Sequence, residues 1–235
     1  VAVGKMASPP DLKRPGAIED VDEIYDALYR NGLTDKTIVD PAFGGWSEAK
    51  TLADDRETFH RLREFRAVGQ PILVSINRKN FLRSLASRDT EGALPVSLAA
   101  TAMAVERGAH VVRTHDVAET RDAAIVGDAF TRERVREESV EELDVTAVGE
   151  AERHIERVDG DADPGRAVAR SFLLELSGEA RAALAEAAAG TETVVTGTDR
   201  VVLAGTVTAL REVAASVEEP AELVAALDRV REACR

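Results

Sequence analysis

Two apolar runs of this chain end in polar clusters of the same make. Ile72-Leu73-Val74-Ser75-Ile76 leads into Asn77, Arg78, Lys79 and Asn80, and Val111-Val112 leads into Arg113, Thr114, His115 and Asp116. A third run, Thr37-Ile38-Val39, ends in Asp40. Cations carried to one place by two strands have the chemistry to hold an anion through charge-assisted hydrogen bonds. Arg113 and His115, two residues apart, point to the same side if the strand continues through them. A helix starting near Asp116 would add its own N-terminal amides, a common arrangement for phosphate groups.

Each cluster also has a plainer reading. Asp40 before Pro41 serves equally well as a turn or cap. Arg78 and Lys79 could be the solvated start of a helix, although cations there oppose the positive end of the helix dipole. A single His is often only a structural donor, and His60, His110 and His154 have no partners in the pattern. With one Cys, Cys234, no spacing suggests zinc.

Side chains at strand ends need a sheet to carry them. The runs 1–4, 37–39, 72–76 and 110–112 are continuously apolar rather than alternating, as in strands covered on both faces of a parallel sheet. Between them the periodicity predicts four helices. The first spans 21–30, with Val21, Ile24 and Leu28 on one face. The second spans 54–68, with Phe59, Leu62, Phe65 and Val68 at spacings of three and a cap at Asp54 or Asp55. The third spans 95–107, starting at Pro95, stopping at Gly108 and turning Leu98, Ala102 and Val105 to the sheet. The fourth spans 117–129, where Asp116 and Glu119 have capping-box spacing. Alternating strands and helices belong to a (β/α) barrel or a doubly wound sheet, both of which gather functional groups at the carboxyl ends of the strands.

The texture changes after residue 130. Residues 131–165 are charged, helical in tendency and broken by Gly160-Asp161-Ala162-Asp163-Pro164-Gly165, which reads as a connection between domains. From 166 to 235 the pattern gives a strand (171–176), a helix (178–189), two strands (193–196, 200–204) and two helices (207–217, 220–234). This is a small α+β domain, ferredoxin-like or a similar two-layer arrangement, without a chemical motif.

Composition narrows the partners. The 235 residues are 44% hydrophobic, enough for a real core, and their formal net charge of -13 argues against nucleic acid or an anionic membrane surface as the main partner. Lysine stands at only 5, 13, 36, 50 and 79 among 30 basic residues, and aromatics make up 4%. Acid enrichment with Arg in place of Lys reads as adaptation to high salt of the kind halophilic archaea need. An ordinary acidic protein of a GC-rich genome is the plain alternative. The single Cys rules out an internal disulfide and fits a reducing, cytoplasmic setting. No run has the length of a membrane span or secretory signal. Val1-Ala2-Val3-Gly4 reads as the tail of a strand under way, so an upstream segment is expected.

The segments TIVDPAFG, ILVSINRKNF and SLAATAMAVERGAHVVRTHDVAET resemble the second half of dihydropteroate synthase, over about residues 1–130. The resemblance implies a (β/α)8 TIM-barrel type of fold with only about the last four βα units present, followed by the small α+β domain. It implies a transferase of folate biosynthesis that condenses p-aminobenzoate with 6-hydroxymethyl-7,8-dihydropterin pyrophosphate to 7,8-dihydropteroate and pyrophosphate. Magnesium is expected with it, its ligand lying outside this chain. Carried over residue by residue, Asp40 accepts hydrogen bonds from the pterin ring, and Lys79 lies against the pterin near the aminobenzoate. Arg113 and His115 hold the leaving pyrophosphate. Asn77, where the family usually has Ser, and Arg78 complete the substrate-binding set.

The sequence departs from the family pattern after Asp40, where Gly44 and Gly45 are followed by Trp46. It also lacks the family's first half, with the glycine-rich loops. Four βα units cannot close an eight-stranded barrel, so a missing N-terminal half or a homodimer partner is expected to complete the site. Two other functions fit the same residues. One is a methyltetrahydrofolate-dependent methyltransferase, which has no pyrophosphate to hold; the other is a non-catalytic pterin-binding or partner protein.

Overall fold

Three parallel backbone segments carry the first part of the molecule. In the computed structural model, which describes residues 21–30, 33–34, 36–44, 50–198 and 200–235, β1 (Ile72–Val74) runs parallel to β2 (Ala109–Val112), pairing Ile72 with Ala109, Leu73 with Val111 and Val74 with Val112. On the other side of β1, Val39 forms a parallel bridge to Ile72. Its N–H donates to the Pro71 carbonyl at 2.9 Å, and its carbonyl accepts from the Leu73 N–H at 2.8 Å. The strand expected over 37–39 is thus a single bridge, since Pro41 has no N–H with which to extend the ladder. Because all three segments run the same way, Asp40, Ser75 and Arg113 emerge at the same end. The strand expected at 1–4 and the departure at Trp46 lie outside the described residues.

Helices and a short hairpin complete this unit. The chain divides between Glu142 and Leu143 into two compact units. In the first, α1 (Val21–Tyr29) precedes α2 (Leu52–His60), then a 3-10 helix (Leu62–Val68), α3 (Asn80–Ala86), α4 (Leu94–Glu106) and α5 (Val117–Ala129). The helix expected over 54–68 therefore splits. Phe59, Leu62, Phe65 and Val68 are all buried, and a strict spacing of three is the period of a 3-10 helix rather than an α-helix. Its cap is Thr51, whose hydroxyl accepts from the Asp54 N–H while Asp54 accepts from the Thr51 N–H, a reciprocal capping box.

Three other details differ from the sequence pattern. α4 buries Ser97, Ala100, Thr101 and Ala104 instead of Leu98, Ala102 and Val105, a shift of about one position that brings its small residues inward. Asp116 precedes α5 but makes no side-chain cap, because its carboxylate is engaged elsewhere. Residues 131–165 are not one helical connection. β3 (Arg136–Glu137) and β4 (Val140–Glu141) pair as an antiparallel hairpin in the first unit, whereas α6 (Val148–Glu156) buries Ala151 in the core of the second.

The second unit is a three-stranded antiparallel sheet with helices. β5 (Ala169–Glu175), α7 (Gly178–Ala188), β6 (Thr193–Thr196), β7 (Arg200–Thr206), α8 (Val207–Ser216) and α9 (Ala221–Ala233) follow in order, and the strands lie as β5-β7-β6. Burial alternates along β7, with Val201 and Leu203 inside and Arg200 and Val202 outside. The helices contribute Ala180, Leu184 and Ala188, then Val207, Leu210 and Val213, then Leu223, Leu227 and Val230, each set at helical spacing. A ferredoxin-like fold would need a fourth strand after α8. The 3.6-residue period of Leu223, Leu227 and Val230 makes that segment a helix. The whole is a mixed α/β protein, and no helix among the described residues is long and apolar enough to cross a membrane.

The core of the first unit contains a ring cluster under the strand ends. Phe43 stacks on Phe81 with centroids 5.7 Å apart, and Phe59 completes the triangle at 6.0 and 5.9 Å. Removing a wholly buried ring leaves a cavity, so Phe81→Ala should lower the unfolding free energy of this unit by about 3 to 5 kcal/mol. Denaturant unfolding with hydrogen exchange on β1 and β2 measures it, and a loss below about 1 kcal/mol would contradict the packing described.

Candidate active site

At the common carboxyl end, the two loops after β1 and β2 are tied by one ion pair. Arg78 donates from Nε to Asp116 Oδ2 at 2.9 Å and from Nη2 to Oδ1 at 3.0 Å, a bidentate fork. Its Nη1 donates to the carbonyls of Thr90 (2.6 Å) and Glu91 (3.0 Å), and its backbone N–H to Ser97 Oγ (2.8 Å). Asn77 Nδ2 also donates to Asp116 Oδ2 at 3.0 Å, and the His115 N–H reaches Asn77 Oδ1 at 3.4 Å. Arg78 holds a left-handed backbone with φ of 54°, a conformation that costs an L-residue about 1 to 2 kcal/mol and that these bonds hold in place.

The loop after Val39 is fixed from below. The Ala42 N–H donates to Asp40 Oδ1 at 2.9 Å, and the Ala42 carbonyl accepts from Lys50 Nζ at 2.7 Å. Lys50 pairs with Asp55 at 3.0 Å with both side chains almost wholly buried, 3% and 5% exposed, and the same carboxylate accepts the Gly44 N–H. Ala42, like Arg78, is left-handed at φ 59°. Gly44, at φ 82°, lies so close to Lys79 that a Cβ there would stand 2.9 Å from the lysine Cδ and Nζ. Glycine is what lets the Lys79 side chain lie across this turn.

Asp40 lies in the field of Arg113, Lys79 and Lys50, and Lys79 in that of Arg113, Asp55, Asp40 and Lys50. Burial pushes the Asp40 carboxyl above its ordinary pKa, opposed by the Ala42 N–H and by the charges of Arg113, Lys79 and Lys50. Burial lowers the Lys79 ammonium, and Arg113 lowers it further, while Asp55 and Asp40 pull it back. Among the described residues neither Lys79 nor Arg113 forms an ion pair. Arg113 donates from Nε to the hydroxyl of Ser75 at 3.0 Å. The site therefore keeps an excess of positive charge inside a strongly acidic chain.

Of the residues singled out in the sequence, Asp40, Lys79 and Arg113 come together. Asn77 and Arg78 belong to the ties between the loops, with four Arg78 guanidinium hydrogen bonds to Asp116, Thr90 and Glu91. The His115 ring is exposed, and its backbone is held by Asn77. Sequence reasoning missed Lys50 and Ser75, and read Asp55 and Asp116 as caps. A signal was present for Lys50, since two of the five lysines of an arginine-rich chain meet here. Among the described residues no group of three or more His, Cys, Asp or Glu gathers to hold a metal ion.

With this geometry in view, the comparisons with known proteins point one way. Residues 18–115 match the family model described as pterin binding enzyme. The chain is similar to the dihydropteroate synthase of Escherichia coli K12, at 36% identity over 95 residues, 40% of this chain and 33% of that one. It is similar at 37% over 95 residues to a probable bifunctional folylpolyglutamate synthase/dihydropteroate synthase of Halobacterium salinarum, covering 40% of this chain and 11% of that protein. A solved dihydropteroate synthase from Coxiella burnetii in complex with pteroic acid shares 26% identity at a TM-score of 0.44, over 49% of this chain and 48% of that one. The chain thus spans about a third of the length of the Escherichia coli protein.

Two measurements check the site's architecture. Removing either member of the buried pair, as in Lys50→Ala or Asp55→Ala, should destabilise the first unit by about 3 to 5 kcal/mol because it strands a buried charge, and Lys50→Met with Asp55→Leu should cost less than either. The fork with Arg78, helped by Asn77, holds the Asp116 carboxyl down to about 2. Its folded value lies below its unfolded one, so the stabilisation is complete above about pH 4 and is lost as pH falls toward 2. Carboxyl-carbon NMR should place the Asp116 midpoint there, and Arg78→Gln should return it toward the ordinary range.

Proposed function

We propose that the first unit supplies the substrate-facing half of a dihydropteroate synthase. The reaction joins the amine of p-aminobenzoate to the methylene carbon of a dihydropterin pyrophosphate: the C–N bond forms, the C–O bond breaks, and pyrophosphate leaves. The observation that carries this reading is the meeting of Asp40, Lys79 and Arg113 at the ends of three adjacent parallel segments. The match over residues 18–115 supports it.

Each residue has a place in that chemistry. Asp40, half-buried and held by Ala42, accepts hydrogen bonds from the pterin N–H groups, a role suited to a carboxylate. Lys79, lying across Gly44, borders the pterin and the incoming amine. Arg113, joined by the exposed His115, meets the pyrophosphate, whose charge grows as the C–O bond breaks and is stabilised most by preorganised donors. Asn77 and Arg78, the other members of the substrate-binding set, also hold the loops in register. Magnesium, with its ligand outside this chain, would neutralise part of the pyrophosphate charge beside these side chains.

The arrangement fits part of a (β/α)8 barrel. The Val39 segment and β2 each leave an unpaired edge among the described strands, and closure of a barrel requires further strands from an upstream half or a partner chain. We place the protein in the cytoplasm, in keeping with its substrates.

The test separates the two ends of the pocket. In the chain complemented with an N-terminal half, Arg113→Ala should cost about 2 to 4 kcal/mol in kcat/KM, the range for losing one charge-stabilising group. Calorimetry should show Asp40→Asn weakening the binding of 6-hydroxymethylpterin while leaving inorganic pyrophosphate unaffected. The opposite pattern would mean that the ends are assigned the wrong way round.

A further inference from the structure

We infer that Ser75 is a positioning residue that aims Arg113 at the anion without neutralising it, an inference that rests on the anion-binding role proposed for Arg113. Ser75 directly follows β1 and Arg113 directly follows β2. The Arg113 N–H donates to the Val74 carbonyl at 2.9 Å, so the two residues stand side by side at the strand ends. Ser75 is buried, 8% exposed, between the buried Val74 and Ile76. A hydroxyl in such a run is costly unless it is bonded. Its described bond is to Arg113 Nε, at 3.0 Å.

The geometry of guanidinium gives that bond its consequence. Arginine carries five N–H groups in one rigid plane, and fixing Nε fixes the plane. The N–H groups on the terminal nitrogens then remain for two oxygens of one anion, the bidentate mode that suits phosphates.

The neighbouring arginine shows the alternative. Arg78 is held by a carboxylate and two carbonyls, and its charge is spent within the fold. Arg113 is held by a neutral acceptor, which orients the fork without forming an ion pair. A carboxylate in place of Ser75 would orient equally well and cancel the charge. The strand position thus requires a small, neutral hydrogen-bond acceptor.

The experiment titrates inorganic pyrophosphate into the 235-residue chain by calorimetry, with Arg113 Nε–H exchange followed by NMR in the unliganded protein. Ser75→Ala should weaken pyrophosphate about 3- to 10-fold, the effect of losing one hydrogen bond, and should speed Nε–H exchange. Ser75→Thr, which keeps the hydroxyl, should restore both. Lysine has no Nε fork, so in an Arg113→Lys background Ser75→Ala should change nothing. Equal weakening in both backgrounds, or rapid Nε–H exchange already in the parent, overturns the role of Ser75. Parent-like binding by Ser75→Ala overturns it too, while loss on Arg113→Ala leaves the anion site standing. If the parent and Arg113→Ala bind pyrophosphate alike, or neither binds it, the anion site itself fails and this inference goes with it.

Discussion

The fork between Arg78 and Asp116 is the interaction on which the candidate site depends. Lys79 follows Arg78 in sequence and His115 precedes Asp116, so one bidentate contact sets the distance between the loops that carry them. Neighbouring parallel strands align their backbones but not the loops beyond them. The carbonyls of Thr90 and Glu91 and the hydroxyl of Ser97 extend the tie to the start of α4, so the whole carboxyl end of β1 is anchored on a helix. The left-handed backbone at Arg78 is sustained by this over-determination, while the next side chain, Lys79, lies across Gly44.

The family match ends at residue 115, and the helices and sheet beyond Leu143 lie outside it. The sheet of the second unit is covered on one face, while Leu173, Val194 and Val202 stand exposed on the strands. The unit is held by apolar burial and good caps, with Ser177 accepting from Ala180 and Thr206 from Ala209.

Much of this architecture was legible in the sequence, and what was not has identifiable causes. Strands, helices and their order in 166–235 followed from binary pattern, since there the period and the burial agree. The end of each apolar run located Asp40, Lys79 and Arg113 because parallel sheets bring carboxyl ends together. Roles within the clusters were not legible. Arg78 and Lys79 are adjacent cations of equal standing in the sequence, and only the structure shows Arg78 paired with Asp116 and Lys79 lying across Gly44. Asp116 looked like a cap because it has the right residue type and spacing, but a bidentate arginine is a stronger partner than a backbone amide. Lys50 and Asp55 were hidden for another reason: a buried charge is invisible to hydropathy until its partner, five residues away across a capped helix start, is seen.

Burial of that pair has a bearing on ionic strength. At molar salt the screening length shrinks to about 3 Å, and exposed contacts such as Arg200 with Glu175 or Arg136 with Glu141 lose most of their attraction. Lys50 and Asp55 are almost wholly buried, so salt screens their contact, which supports the turn from Asp40 to Gly44, much less. A chain with this acidic a surface gains solubility from hydrated carboxylates in brine. The turn that carries Asp40 is held by a pair in a lower dielectric than the exposed surface.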